Sequence, residues 1–260
     1  MKQIMFVGLA LLMSLGWTSA AQQLPDCSEL TRALQDVMRA DSRLRDFAQL
    51  QRYRSDNREI APASHRVVFL GDSITDFWSR PQFGGFFPGK PYVNRGISGQ
   101  TTPQMLLRMR QDVIALRPEA VVVLAGTNDI AGNTGPETDE EIEGYLTSIC
   151  DLADANHIRV VLASITPVSN YHPAPAAPPM TSRRPPQRIV ALNKWLRTYA
   201  DAHHYVYLDY YSGMVDADGM LRPDLSDDDL HPNAKGYAVM APLAEAAIRR
   251  ALGGGQTQAR

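Results

Sequence analysis

Short apolar runs alternate along the chain with longer segments whose apolar residues recur every three or four positions. RVVFL (66–70), AVVVLAG (120–126) and RVVLASI (159–165) are apolar almost throughout. A strand with only one buried face alternates apolar and polar residues, so unbroken runs of this length point to strands covered on both faces. PYVNR (91–95) and YVYLDY (205–210) complete a set of five. Between them lie helical patterns at 103–118, 138–156 and 185–203, and a last one at 232–252. The helix over 138–156 opens on acidic residues, which suits the positive end of its dipole, and the one over 103–118 stops at Pro118. Strands alternating with helices predict a single α/β domain, a three-layer α/β/α sandwich around a five-stranded parallel sheet. Residues 27–56 lack Pro and Gly and carry apolar residues at helical spacing, which predicts one or two helices packed on the domain.

The ends of the chain read differently. Lys2, the run IMFVGLALLMSLGW and the small residues TSAA form the pattern of a secretory leader cleaved after Ala20 or Ala21. The run is too short for a comfortable membrane span, so the expectation is a secreted or periplasmic bacterial protein without stable membrane insertion. The expected divisions are a leader at 1–21, a helical segment at 22–60, the main domain at 61–253 and a frayed tail at 254–260. A formal net charge of -2 offers no basic surface for nucleic acid. In an oxidising compartment the two cysteines, Cys27 and Cys150, suggest one disulfide, with two separate thiols as the equal alternative. The proline-dense segment at 170–187, NYHPAPAAPPMTSRRPPQ, follows the fourth strand and is expected not to be helical. It is read either as a wall of a ligand site, since open α/β sheets bind ligands at the carboxyl ends of their strands, or as a disordered surface loop.

Candidate chemistry collects at those strand ends. The first strand runs into Gly71-Asp72-Ser73, the second into NRGISGQTT and the third into GTND, and the loop after the fifth holds DLSDDDLHPN. Acyl transfer needs these residue types. A serine hydroxyl requires a base to take its proton, and His231 serves near neutral pH. A carboxylate must orient the imidazole and stabilise its charged form, and Asp228 stands three residues before His231. The developing oxyanion needs donors, which the backbone N–H groups of Ser73 and Gly99 and the side-chain amide of Asn128 offer. Each residue also has a plainer reading: a turn at Gly71-Asp72-Ser73, a positive-φ glycine at 99, a helix cap at Asn128, a solvated acidic turn at 227–229.

With these blocks in this order, the chain resembles the GDSL, or SGNH, hydrolase family of serine esterases and acylhydrolases. GDSIT, NRGISGQTT, GTND and DDLHPN match its four blocks and cover about residues 66–250. The second and third look most like the branch containing the catalytic subunits of platelet-activating-factor acetylhydrolase, which implies short acyl groups. The resemblance implies a flavodoxin-like fold, ester or thioester hydrolysis with no metal or other cofactor, and catalytic roles for Ser73, Asp228 and His231 with an oxyanion hole at Ser73, Gly99 and Asn128. The G-x-S-x-G elbow of α/β-hydrolases occurs nowhere; GISGQ approaches it and leaves Ser98 as a minor rival nucleophile.

The leading expectation is an exported esterase for short acyl, above all acetyl, esters, plausibly on carbohydrate. A lysophospholipase or thioesterase acting on lipid acyl chains and a binding protein that kept the fold without turnover are the alternatives. A metal-dependent phosphohydrolase would draw on Asp72, Asp76 or Asp129, but no second cluster of histidines completes such a site.

Overall fold

A computed structural model describes residues 27–83, 85–173 and 177–253. The expected leader and tail lie outside these residues. The described residues divide into two compact units after Ser42. The described part of the first is helical, belonging to α1 (Cys27–Arg45), on which Leu30, Leu34, Val37 and Met38 are exposed. Among the described residues no helix is long and apolar enough to cross a membrane.

The second unit holds the predicted α/β architecture. Strands β1 (Val67–Gly71), β2 (Tyr92–Gly96), β3 (Ala120–Leu124), β4 (Arg159–Ala163) and β5 (Val206–Leu208) form one sheet in the order β2-β1-β3-β4-β5, and every pairing is parallel. The helices are α2 (Arg54–Glu59), α3 (Ser73–Phe77), α4 (Thr102–Asp112), α5 (Thr127–Ile130), α6 (Asp139–Asp154), α7 (Met180–Arg183), α8 (Pro186–Ala202), α9 (Tyr211–Met214) and α10 (Ala234–Gly253).

Alternate residues of each central strand enter opposite cores. Val68 and Leu70, Val121 and Val123, and Val160 and Leu162 pack with Met105, Ile142, Leu146 and Leu192 beneath α4, α6 and α8. Phe69, Val122 and Val161 pack on the other side with Ile74, Trp78, Tyr237 and Met240 of α3 and α10. This two-sided burial is why those runs are apolar without interruption.

Residues 47–59 are tied to α4 through Gln104 Nε2 to the Phe47 carbonyl, Gln111 Nε2 to the Leu50 carbonyl and Asn57 Nδ2 to Asp112 Oδ1. Both cysteines are free thiols. Cys27 is exposed, whereas Cys150 lies on the buried face of α6 among Ile142, Leu146 and Ile149, where burial pushes its thiol up to about 12. A thiol so placed is a small core hydrophobe.

The chain starts at β1, steps outward to β2 and returns on the other side of β1 as β3. The order therefore reverses between β1 and β3, where such sheets open a crevice at the carboxyl ends of their strands. Gly71 is level with Gly96 on one side and Leu124 on the other, so the loops after the three strands emerge together.

Candidate active site

Asp72 follows β1 as the N-cap of α3, its Oδ1 accepting the Ile74 N–H at 2.9 Å. Ser73 is thus the first residue of a helix, and its own N–H is one of those that a helix leaves without an internal acceptor. Asp72 is buried, and its Oδ2 has no hydrogen-bond partner among the described residues; burial pushes its carboxyl up to about 6.

His231 approaches Ser73 from the loop before α10. Asp228 shapes that loop, its Oδ1 accepting the N–H groups of Leu230 at 3.1 Å and His231 at 2.7 Å. Its Oδ2 lies 2.6 Å from His231 Nδ1, and His231 Nε2 lies 2.9 Å from Ser73 Oγ. Partial burial opposes the Asp228 charge, but the side-chain and backbone hydrogen bonds from His231 outweigh it and hold the carboxyl well below the usual carboxylate range. An ionised carboxylate only accepts, so Nδ1 carries the donated proton and Nε2 of the neutral ring accepts from the Ser73 hydroxyl. Phe77 packs against the imidazole with ring centroids 4.9 Å apart. Ser98 is exposed, and it is Ser73, not Ser98, that meets the imidazole.

The second and third blocks face the same crevice. Gly99 has φ +82°, a region L side chains seldom adopt, although a Cβ there would meet only Asn133 Nδ2 at 4.0 Å. Asn128 is buried inside α5 and does not cap it; the N-cap is Gly126, at φ +113°. Its Nδ2 donates to the Gln100 carbonyl at 3.1 Å, and its Oδ1 accepts from Arg184 Nη2 at 3.1 Å.

Behind this turn, Asp129 Oδ1 accepts the Thr102 N–H at 2.8 Å and the Thr102 hydroxyl at 2.5 Å. Asp129 Oδ2 and Glu137 Oε2 are both buried without a conventional partner among the described residues. Burial first, and then the Asp129 charge, push Glu137 up to about 7. Between the ordinary Glu range and about 7, the folded protein keeps a proton that the unfolded chain has released, so stability falls as pH rises through that window. Glu137→Gln, which has no carboxyl to titrate, is expected to flatten that decline in a series of melting temperatures. A slope equal to that of the unmodified protein would show that another group titrates in this window.

Three residues beside this crevice went unremarked in the sequence reading. Asp229, inside the acidic run, takes a positive φ of 68° and accepts from the Ser169 hydroxyl, the Tyr171 and His172 N–H groups and the His172 ring. It ties the histidine loop to the start of the proline-dense segment. That segment is not free of helix as expected: α7 fits between Pro179 and Pro185, where neither proline's missing N–H is needed. Arg184, just after α7, reaches Asn128. Arg108, wholly buried, donates to the carbonyls of Gly71 and Arg95 at the ends of β1 and β2, and to Gln100 Oε1.

The model of the GDSL-like lipase/acylhydrolase family matches residues 69–239. The chain belongs to that family. Among solved structures similar to this GDSL-like chain is a candidate acylhydrolase from Bacteroides fragilis, 41% identical, covering 80% of this chain and 99% of its own at a TM-score of 0.72. A GDSL-like lipase from Bacteroides thetaiotaomicron is 40% identical, covering 79% and 99% at a TM-score of 0.71. An acetylxylan esterase from Geobacillus stearothermophilus is 32% identical over a stretch covering 26% of this chain. The match spans 41% of that esterase's length. Family membership and these relatives identify the protein as a carboxylic ester hydrolase.

Proposed function

We propose that this GDSL-like hydrolase is an exported serine esterase that removes short acyl groups, above all acetyl, from carbohydrate. The observation that carries the catalytic reading is the continuous line from Asp228 Oδ2 through His231 to Ser73 Oγ, with steps of 2.6 and 2.9 Å. In this reading Ser73 Oγ attacks the ester carbonyl while its proton passes to His231 Nε2, and Asp228 stabilises the resulting imidazolium. The N–H groups of Ser73 and Gly99 and the Asn128 amide receive the oxyanion. His231 then returns the proton to the departing alcohol. Water, activated by the same imidazole, releases the acyl group from Ser73.

The leader pattern at 1–21 supports export, and N-terminal sequencing of the mature protein checks it. The similarity to an acetylxylan esterase supports an acetylated carbohydrate. A recess of 280 Å³ lies beside Asp228, lined by His172, Pro178, Pro179 and Met180. The deciding experiment is a nitrophenyl ester series of rising acyl length, run beside acetylated xylan. Highest kcat/KM on acetyl, with acetate released from xylan, is the expected result. A maximum on long chains would favour the lysophospholipase or thioesterase reading.

Two further outcomes are expected. Asn128→Ala lowers kcat by about 10² to 10³ with little change in KM, because an oxyanion draws on the donor more than a neutral ester oxygen does. Unchanged kcat with a lowered melting temperature would make Asn128 structural. Activity survives EDTA, because the carboxylates a metal site would recruit are committed separately. Asp72 caps α3, Asp76 pairs with Arg52 at 3.7 Å and Asp129 binds Thr102. Loss in EDTA with restoration by a divalent ion would point to the phosphohydrolase alternative.

A further inference from the structure

Arg184 is placed by the prolines around it. A residue before proline is pushed out of the helical region, so α7 ends and Arg184 takes φ -132°, ψ 76°. Its side chain turns inward and is 4% exposed. Nε donates to the carbonyl and hydroxyl of Thr127, both at 3.1 Å, and Nη2 donates to Asn128 Oδ1 at 3.1 Å. Nη1 meets Met180 Sδ at 3.1 Å. Among the described residues no carboxylate lies within ion-pair distance. Asp72 and Asp228 act on Arg184 only from further away, and burial pulls its guanidinium down to about 10, which leaves it charged at neutral pH.

A buried cation without a contacting anion is costly, and structural arginines avoid the situation by pairing. Here the carboxylate is replaced by the third block of the catalytic crevice. A guanidinium has only donors, so the end of the Asn128 amide that meets it must be the oxygen. The amide cannot flip. Nδ2 is forced to the opposite side, where one N–H goes to the Gln100 carbonyl and the other is left over. A charged donor on the amide oxygen also draws electron density from the nitrogen and strengthens that remaining N–H as a donor.

We propose that Arg184 is a positioning residue for ester hydrolysis: it locks and polarises the Asn128 amide, and its buried charge balances the oxyanion formed when Ser73 attacks. This rests on the serine esterase reading above. The counter-charge absent from the resting site is then the one that appears in the transition state. A preorganised charge of this kind accelerates the step without reorganising during it.

The test is a double-mutant cycle of Arg184→Met with Asn128→Ala, using kcat and KM on nitrophenyl acetate and inhibition by an alkylboronic acid whose tetrahedral serine adduct carries the negative charge. Arg184→Met alone is expected to lower kcat by about 10- to 100-fold, somewhat less than loss of the donor itself. KM should stay within about twofold, and boronate affinity should fall in parallel with kcat. In the Asn128→Ala background the same change should cost much less, because residues acting as a unit are not additive. An equal loss in both backgrounds, or a lowered melting temperature with normal kcat and boronate affinity, would reduce Arg184 to a structural tie and overturn the proposal. Should Arg184→Met fail to fold, Arg184→Gln, which removes the charge but keeps an amide donor, goes through the same cycle and is judged by the same criteria. Ser73→Ala in parallel separates the two levels. An active Ser73→Ala protein defeats the esterase reading itself, whereas an inactive one beside an additive cycle defeats only the role of Arg184.

Discussion

Ser73→Ala is expected to lower ester turnover by about 10⁴-fold or more, because the members of a nucleophile–base unit fail together. The unfolding midpoint should stay nearly unchanged. Ser73 Oγ hydrogen-bonds His231 Nε2 and makes no other side-chain hydrogen bond among the described residues, and alanine is well tolerated in the first turn of a helix. The cap of α3 also survives, since it comes from Asp72. Turnover of a nitrophenyl ester and a melting curve on the same preparation give both readings. A tenth of normal activity would overturn the assignment of Ser73 as nucleophile. Ser98 is the next residue to test.

Arg108→Met should cost about 3–5 kcal/mol of stability, the range for breaking a buried charged pair by removing one partner. Arg108 and Asp112 are both fully buried, 3.4 Å apart and one turn apart on α4. Burial lowers the guanidinium to about 10, still charged at neutral pH, while Asp112 favours the charged form. Methionine matches the aliphatic stem, but it leaves Asp112 without its cation and takes donors from the Arg95 carbonyl and Gln100 Oε1. Natural domains hold about 5–15 kcal/mol in reserve, so the loss would be a large fraction of the total. Activity should suffer as well, because the same guanidinium fastens the ends of β1 and β2, from which the Ser73 and Gly99 loops depart. Urea unfolding measures the cost; less than about 1 kcal/mol would show that other groups replace Arg108 without difficulty.

The central strands were legible because both faces of β1, β3 and β4 are buried and their apolar runs have no interruption. β2 and β5 were readable mainly from spacing, since β2 is an edge strand with half-buried Tyr92, Val93 and Asn94. The polar blocks stood out because each interrupts an apolar run at a strand end. The helices α3 and α5 did not, being too short for any periodicity to register. Arg108 left a signal that went unread: with Met105, Met109 and Asp112 it occupies the core-facing stripe of α4, where a charge demands a buried partner. Arg184 left none. Its direction follows from the turn that Pro185 imposes, and no pattern of residue types reports where a side chain in an irregular segment points. The state of Cys150 was not legible, because spacing along the chain does not report whether a distant cysteine reaches it.

His231 Nε2 and Ser73 Oγ are separated by 158 positions along the chain. Everything that holds them together, β2 to β5 and the helices between, must be in place before they meet. During synthesis Ser73 leaves the ribosome early and waits without His231 until the chain is nearly at α10. No nascent or truncated chain ending before residue 231 can form the pair. Contacts of such long range close late and slowly. In a refolding experiment, recovery of ester turnover should therefore trail the return of helical signal and serve as a clock for completion of the whole sheet.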